Sequence, residues 1–159
     1  MKNVLSVLVE NEAGVLARIS GLFSRRGYNI ESLTVGPCEV AGLSRMVIVT
    51  QLEDVEQIQK QLNKLINIIK INNLSEMNFV ERELALIKVS TKNHRPQIIE
   101  IADLFRARII DVAEDSAVIE ITGDSEKIDA MLTLLSSYGI KEITRTGSIA
   151  IARGNQKKN

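Results

Sequence analysis

The order of hydrophobic patterns, read along the chain, is what most restricts its fold. An apolar run "VLSVLV", Val4 to Val9, reads as a strand. It is followed by Val15, Leu16, Ile19, Leu22 and Phe23, one apolar stripe at helical spacing that ends at Gly27. "YNIESLTV", ending at Val35, and "LSRMVIVT", Leu43 to Thr50, read as two strands around a turn marked by Gly36, Pro37 and Gly42. Asp54 opens a second helix with Ile58, Leu62, Leu65 and Ile66 on one stripe, and a strand from about Ile68 to Leu74 closes the set. The order is β-α-β-β-α-β, and the rest of the chain repeats it.

In the second round, Glu83 to Ser90 is a strand, and Pro96 stands at the start of a helix carrying Ile98, Ile101, Ala102 and Phe105. "ARIIDV" and "SAVIEIT" are strands joined by the acidic turn Glu114–Asp115. Asp124 or Ser125 caps a last helix with Ile128, Met131, Leu132 and Leu135 inward and Gly139 as its stop. "IKEITRTGSIAIA" is a final strand kinked or split at Gly147, and the polar tail "RGNQKKN" is expected to fray. Two such rounds imply an α+β chain of two tandem ferredoxin-like sandwiches, each a four-stranded antiparallel sheet with two helices on one face. The boundary falls near Met77 and Asn78, giving domains 1–77 and 78–159. The strands are apolar on both sides, so the second sheet face also needs cover, from another chain or from the other half.

Composition narrows the function. Of 159 residues, 45% are hydrophobic and 25% charged, and 20 basic residues balance 20 acidic ones. No net field draws the chain to nucleic acid or an anionic membrane. RNA-recognition domains share this topology but stack bases on aromatic residues, which make up 3% here. No apolar run approaches the ~20 residues that span a bilayer. His94, the only histidine, lies in a polar loop, and Cys38, the only cysteine, has no histidine beside it in sequence. A nucleophile needs a base and a zinc centre needs several ligands, so neither catalysis nor a metal site is expected of this chain. Walker, Rossmann and serine-elbow patterns are absent. A soluble, cytoplasmic protein is the expectation.

The loop "NEAGVL", Asn11 to Leu16, remains. Gly14 at the start of a helix costs roughly 0.5–1 kcal/mol relative to alanine, so it needs a reason. In one reading Asn11 caps the helix and the glycine serves packing. In the other, the helix start offers unpaired N–H groups to a carboxylate, Asn11 offers an amide oxygen to an ammonium group, and Val15 and Leu16 offer apolar contact to the tail of an amino acid. Glu12 opposes an anion there unless it points away.

The longer string "LSVLVENEAGVLARISGLFSRRGYNIESLTVGPCEVAGLSRMVIVT" resembles the N-terminal ACT domain of the small regulatory subunits of acetolactate synthase (acetohydroxyacid synthase). The likeness continues through "FVERELALIKVS", "RPQIIEIADLFRARIIDVAEDSAVIEITGDSEKIDAMLTLL" and "ITRTGSIAIARG", nearly the whole chain. It implies a non-catalytic subunit that binds a large catalytic subunit, the holder of thiamine diphosphate, Mg2+ and FAD. It also implies activation of that partner in branched-chain amino-acid biosynthesis and feedback inhibition by valine or another branched-chain amino acid. ACT domains of this family form a homodimer through sheet edges, with the effector at the interface. Carried over, the effector pocket takes Asn11, Ala13, Gly14, Val15 and Leu16 from one chain and Asn29 and Ile30 from the other. No cofactor belongs to this chain itself, and if the chain is plastid-encoded its place is the stroma. An ACT-type sensor serving a different enzyme is the alternative, and a small stand-alone enzyme on the same scaffold is a third reading.

Overall fold

In the computed structural model, which describes residues 2–154, the first round forms as the pattern implies. Strand β1 (Lys2–Glu10) is followed by helix α1 (Val15–Arg25), strands β2 (Ile30–Pro37) and β3 (Leu43–Gln51), helix α2 (Val55–Leu62) and strand β4 (Ile68–Asn73). The strands pair antiparallel in the order β2-β3-β1-β4, which leaves β2 and β4 at the edges. Alternate residues Leu5, Val7 and Val9 of β1 and Met46 and Ile48 of β3 point to one face, where they meet Ile19, Phe23, Ile58 and Leu62 of the helices. Phe23, Ile58 and Leu62 are almost wholly removed from water, each worth about 1.5–3 kcal/mol.

Local chemistry sets the helix ends. At the C-terminus of α1 the Tyr28 N–H donates to Phe23 O and the Gly27 N–H to Ser24 O, with Gly27 at φ 69°, the paired bonds of a Schellman stop. The Asp54 carboxylate accepts the Gln57 N–H at 3.0 Å and caps α2. That helix is shorter than its apolar stripe suggests. It ends at Leu62; Leu65 still packs on the core, but Ile66 is 86% exposed. Strand β2 also begins later than expected, at Ile30, and runs on through Pro37, which an edge strand tolerates because a proline there leaves no ladder bond missing.

The second round comprises β5 (Phe79–Ser90), α3 (Arg95–Leu104), β6 (Arg108–Val112), β7 (Ser116–Gly123), α4 (Ser125–Leu135) and β8 (Ile140–Arg145), with sheet order β6-β7-β5-β8. Its core joins Ala85, Ile87, Val89, Ile119 and Ile121 to Ile98, Ile128, Met131 and Leu135. Asp124, rather than Ser125, caps α4 through the Lys127 N–H at 2.9 Å. Arg145 ties this sheet to α4. Its guanidinium donates to both oxygens of the buried Glu83 carboxylate, at 2.8 and 2.9 Å, and to Asp129 at 2.6 Å. The Glu83 hydrogen bonds are the main cause that holds Arg145 still more firmly protonated.

The chain splits at Gly147, at φ 81°, and β9 (Ile149–Ala152) follows. Compact units do not divide at 77/78. The first takes residues up to Val80 together with those from Ser148 onward, and the second takes Glu81–Gly147. Strand β9 pairs with β5, and the Arg153 N–H donates to Asn78 O at 2.8 Å. In the first unit, Ala150 and Leu74 pack on Val4, Val47 and Val49, with Phe79 and Ala152 alongside. The second face of the first sheet therefore gets its cover from the chain's own last strand. Ser148 fastens it to β2: its carbonyl accepts from the Thr34 hydroxyl at 3.0 Å and its N–H donates to Ser32 Oγ at 3.1 Å. The tail beyond Gly154, expected to fray, lies outside the described residues. Among the described residues, no helix is long and apolar enough to cross a membrane.

Candidate functional site

The β1–α1 turn answers the question posed by Gly14. The Asn11 N–H donates to Gly42 O at 2.9 Å, which ties the turn to the start of β3. Helix α1 then starts at Val15, so Gly14 is its cap residue rather than part of its first turn, at φ 86° and ψ −8°. An L-residue held there costs roughly 1–2 kcal/mol, and that alone calls for glycine. No side chain caps the helix and no acidic residue lies in its first turn. Asn11 is thus not the helix cap. The Val15 N–H has only a long contact, 3.5 Å, to Glu12 O. Chain neighbours apart, a Cβ added at Gly14 would meet no atom within 4 Å, so the space beside Gly14 is open. Backbone angle and free approach coincide at one residue.

Around this start, Asn11, Ala13 and Leu16 are exposed, Leu16 by 47%. Val15 is 4% exposed and turns its side chain into the core. What Val15 can offer a ligand is its backbone N–H, while Leu16 supplies the aliphatic surface.

Asn29 and Ile30 stand elsewhere. Asn29 is exposed, and its carbonyl is fixed by the buried Thr50 hydroxyl, which donates at 2.7 Å. Ile30 pairs with Thr50, which pairs with Asn3 of β1, whereas Glu10 pairs with Leu43 and Pro37 with Ser44. At ~3.4 Å per residue, the run from Asn3 to Glu10 spans about 24 Å. Within one chain, the Asn11–Leu16 group and the Asn29–Ile30 group lie at opposite ends of the sheet.

A polar cluster that the sequence reading did not single out borders the helix start. Asn67, 5% exposed, lies just before β4. Its side-chain amide donates to Glu10 Oε2 at 2.8 Å and to Glu12 Oε2 at 3.4 Å. Its side-chain oxygen accepts from the Arg18 guanidinium, and its backbone carbonyl accepts the Glu10 N–H at 3.0 Å. Because β4 pairs with β1 on the side away from β3 and β2, the Glu12 carboxylate is drawn toward the edge opposite β2. The one available signal was a lone amide within the apolar run "LINIIK".

His94 is exposed at the start of α3, its ring 5.2 Å from that of Tyr138 in an edge-on contact. Cys38 lies 3.7 Å from Val40 O. Among the described residues, no three His, Cys, Asp or Glu side chains converge as metal ligands would.

A βαββαβ sandwich whose first helix starts uncapped beside the exposed Asn11 has the build of an ACT-type domain. Comparison with known families agrees: the AHAS small subunit-like ACT domain matches residues 5–70, and the family described as the small subunit of acetolactate synthase matches residues 82–154. A probable acetolactate synthase small subunit of Archaeoglobus fulgidus is 55% identical over 160 residues, covering 99% of this chain and all of that one. The acetolactate synthase small subunit of Bacillus subtilis is 51% identical, covering 99% of this chain and 94% of its own. In structure, the chain superposes on the acetolactate synthase small subunit of Thermotoga maritima with a TM-score of 0.89 at 43% identity, over 98% of this chain and 99% of that one. The chain belongs to the family of acetolactate synthase small subunits.

Proposed function

We propose that the chain is a non-catalytic regulatory subunit, acting in the cytoplasm, that activates an acetolactate synthase catalytic subunit and makes it sensitive to valine or another branched-chain amino acid. Thiamine diphosphate, Mg2+ and FAD belong to the catalytic partner. The observation that carries the effector reading is the open start of α1 with Gly14 at its cap. An effector carboxylate accepts the free N–H groups at that start, where the helix dipole also favours an anion. Amide oxygens accept from the effector ammonium group, and its aliphatic tail lies on Leu16.

The separation of the two residue groups supports a pocket shared between chains. Strand β2 is an edge, and edge strands pair readily with a copy of themselves. In a two-fold antiparallel pairing, the partner's Ile30 comes beside the Pro37 end of β2. That is the end at which β3 begins and Asn11 is held by Gly42. The partner's Asn29 and Ile30 then complete the site begun by Asn11 to Leu16, and symmetry makes two equal sites. A ligand bridging both chains stabilises one inter-subunit arrangement over others. Coupling of about 1–3 kcal/mol changes partner properties several-fold to ~100-fold.

The test uses two variants in the reconstituted holoenzyme. Gly14→Asp damages the helix-start half of each pocket and Asn29→His the other half. Each variant alone is expected to activate the catalytic subunit without feedback inhibition. Co-expressed, they form mixed dimers in which one pocket takes both halves unaltered, so partial inhibition returns. No recovery in mixed dimers refutes the shared pocket. A wild-type holoenzyme indifferent to valine, leucine and isoleucine refutes the effector reading.

A further inference from the structure

The Glu12 carboxylate belongs to the same turn as the proposed carboxylate site and carries the wrong charge for it. It lies two residues before the Gly14 cap, and an uncapped helix start attracts any nearby anion. Left alone, Glu12 would compete in cis with an effector. In the structure it does not cap the helix and is met by one side chain. The buried Asn67 amide donates to Glu12 at 3.4 Å and to Glu10 at 2.8 Å, while the same side chain accepts from Arg18.

We propose that Asn67 is a positioning residue that keeps the Glu12 carboxylate off the start of α1, so that an effector carboxylate finds that start unoccupied. The inference rests on the effector reading above. The residue type fits the task. Asparagine donates to carboxylates and accepts from a guanidinium at once, whereas aspartate only accepts and leucine does neither. The local fold does not itself need that side chain to join the turn to β4, because the Glu10 N–H already bonds the Asn67 backbone carbonyl at 3.0 Å. That bond survives any substitution of the side chain, so positioning and fold can be separated by experiment.

The deciding variant is Asn67→Asp, which keeps size and the acceptor for Arg18 but repels Glu12. In holoenzyme assembled with the catalytic subunit, the valine concentration for half-inhibition is expected to rise about tenfold, the scale of one unit charge moved to within ~6 Å in a half-solvated site. Activation of the catalytic subunit is expected to stay as in wild type. Adding Glu12→Gln to Asn67→Asp removes the competing charge and should return half-inhibition to within about twofold of wild type, a recovery that a merely structural role cannot produce. If Asn67→Asp does not fold, Asn67→Ser with and without Glu12→Gln gives the same pair of outcomes, since serine is too short to reach Glu12. An unchanged valine response in the single variant, or a double variant no better than the single one, overturns the proposal. Wild-type holoenzyme that ignores all three branched-chain amino acids fails at an earlier step, in the effector reading, and takes this inference with it.

Discussion

Substitution at Gly14 separates the two reasons for a glycine there. The residue sits at φ 86°, and a Cβ would meet nothing within 4 Å. Gly14→Ala therefore clashes with no neighbour, and its whole cost is the left-handed backbone, about 1 kcal/mol at the lower end of the range. In a unit of 60–100 residues that lowers the melting temperature by roughly 4–8 °C. Gly14→Asp incurs a similar or smaller strain, since Asp and Asn enter the left-handed region more easily. It adds a carboxylate beside the proposed site of the effector carboxylate. Two like charges at 4 Å repel by about 4 kcal/mol at an effective dielectric of 20. Halving this for the exposure of the turn leaves about 2 kcal/mol, or roughly 30-fold in affinity. Thermal melting of the free subunit and valine titration of the holoenzyme read the two effects independently. Gly14→Ala should melt lower and stay valine-sensitive, while Gly14→Asp should melt no lower than Gly14→Ala and lose sensitivity. Wild-type melting in Gly14→Ala refutes the backbone argument, and wild-type inhibition in Gly14→Asp would falsify the close approach of a ligand.

Three further expectations concern the scaffold. Arg145→Ala strands the buried Glu83 carboxylate, and because the Arg145 side chain is 29% exposed the loss is at the low end for a buried pair, about 3 kcal/mol by thermal unfolding, with Glu83→Gln milder. Truncation after Gly147 removes β9 and bares Val4, Val47 and Val49, so the truncated chain should bind a hydrophobic dye and melt lower than the full one. The Glu39 carboxyl is held below the usual range first by its own backbone N–H and then by the Arg45 guanidinium. Its ionised form thus favours the folded loop above the unfolded pKa, and that preference disappears as pH falls through the lower folded value. Arg45→Ala should move the Glu39 titration, followed by NMR, only part of the way back.

Legibility varied with the range of the physics involved. Helix α1 and its Gly27 stop were readable because a stripe of period 3.6 and a left-handed glycine are local features. The end of α2 was not, since Leu65 and Ile66 continue the apolar pattern and only packing separates the half-buried Leu65 from the exposed Ile66. In the candidate site, Gly14 was legible as an anomaly but its cause was not, because "NEAGVL" alone admits both a capped helix and an open one. The direction of Glu12 depends on Asn67, more than fifty residues away, and no local pattern joins the two.

By itself, the sequence determined the element order, the repeat of βαββαβ, the inward faces of α1, β1 and β3, and the special character of Gly14. Each follows from side-chain periodicity or a single residue's backbone freedom, both properties of a few adjacent residues. The tertiary structure alone decided that β9 returns to cover the first sheet, that the Asn11 and Asn29 groups stand at opposite ends of that sheet, and that the Asn67 amide meets the Glu12 carboxylate. Those outcomes depend on strand register and on which apolar face is left bare once the nearer contacts are made. Such long-range choices are settled by burial summed over the whole fold, which no short stretch of sequence records.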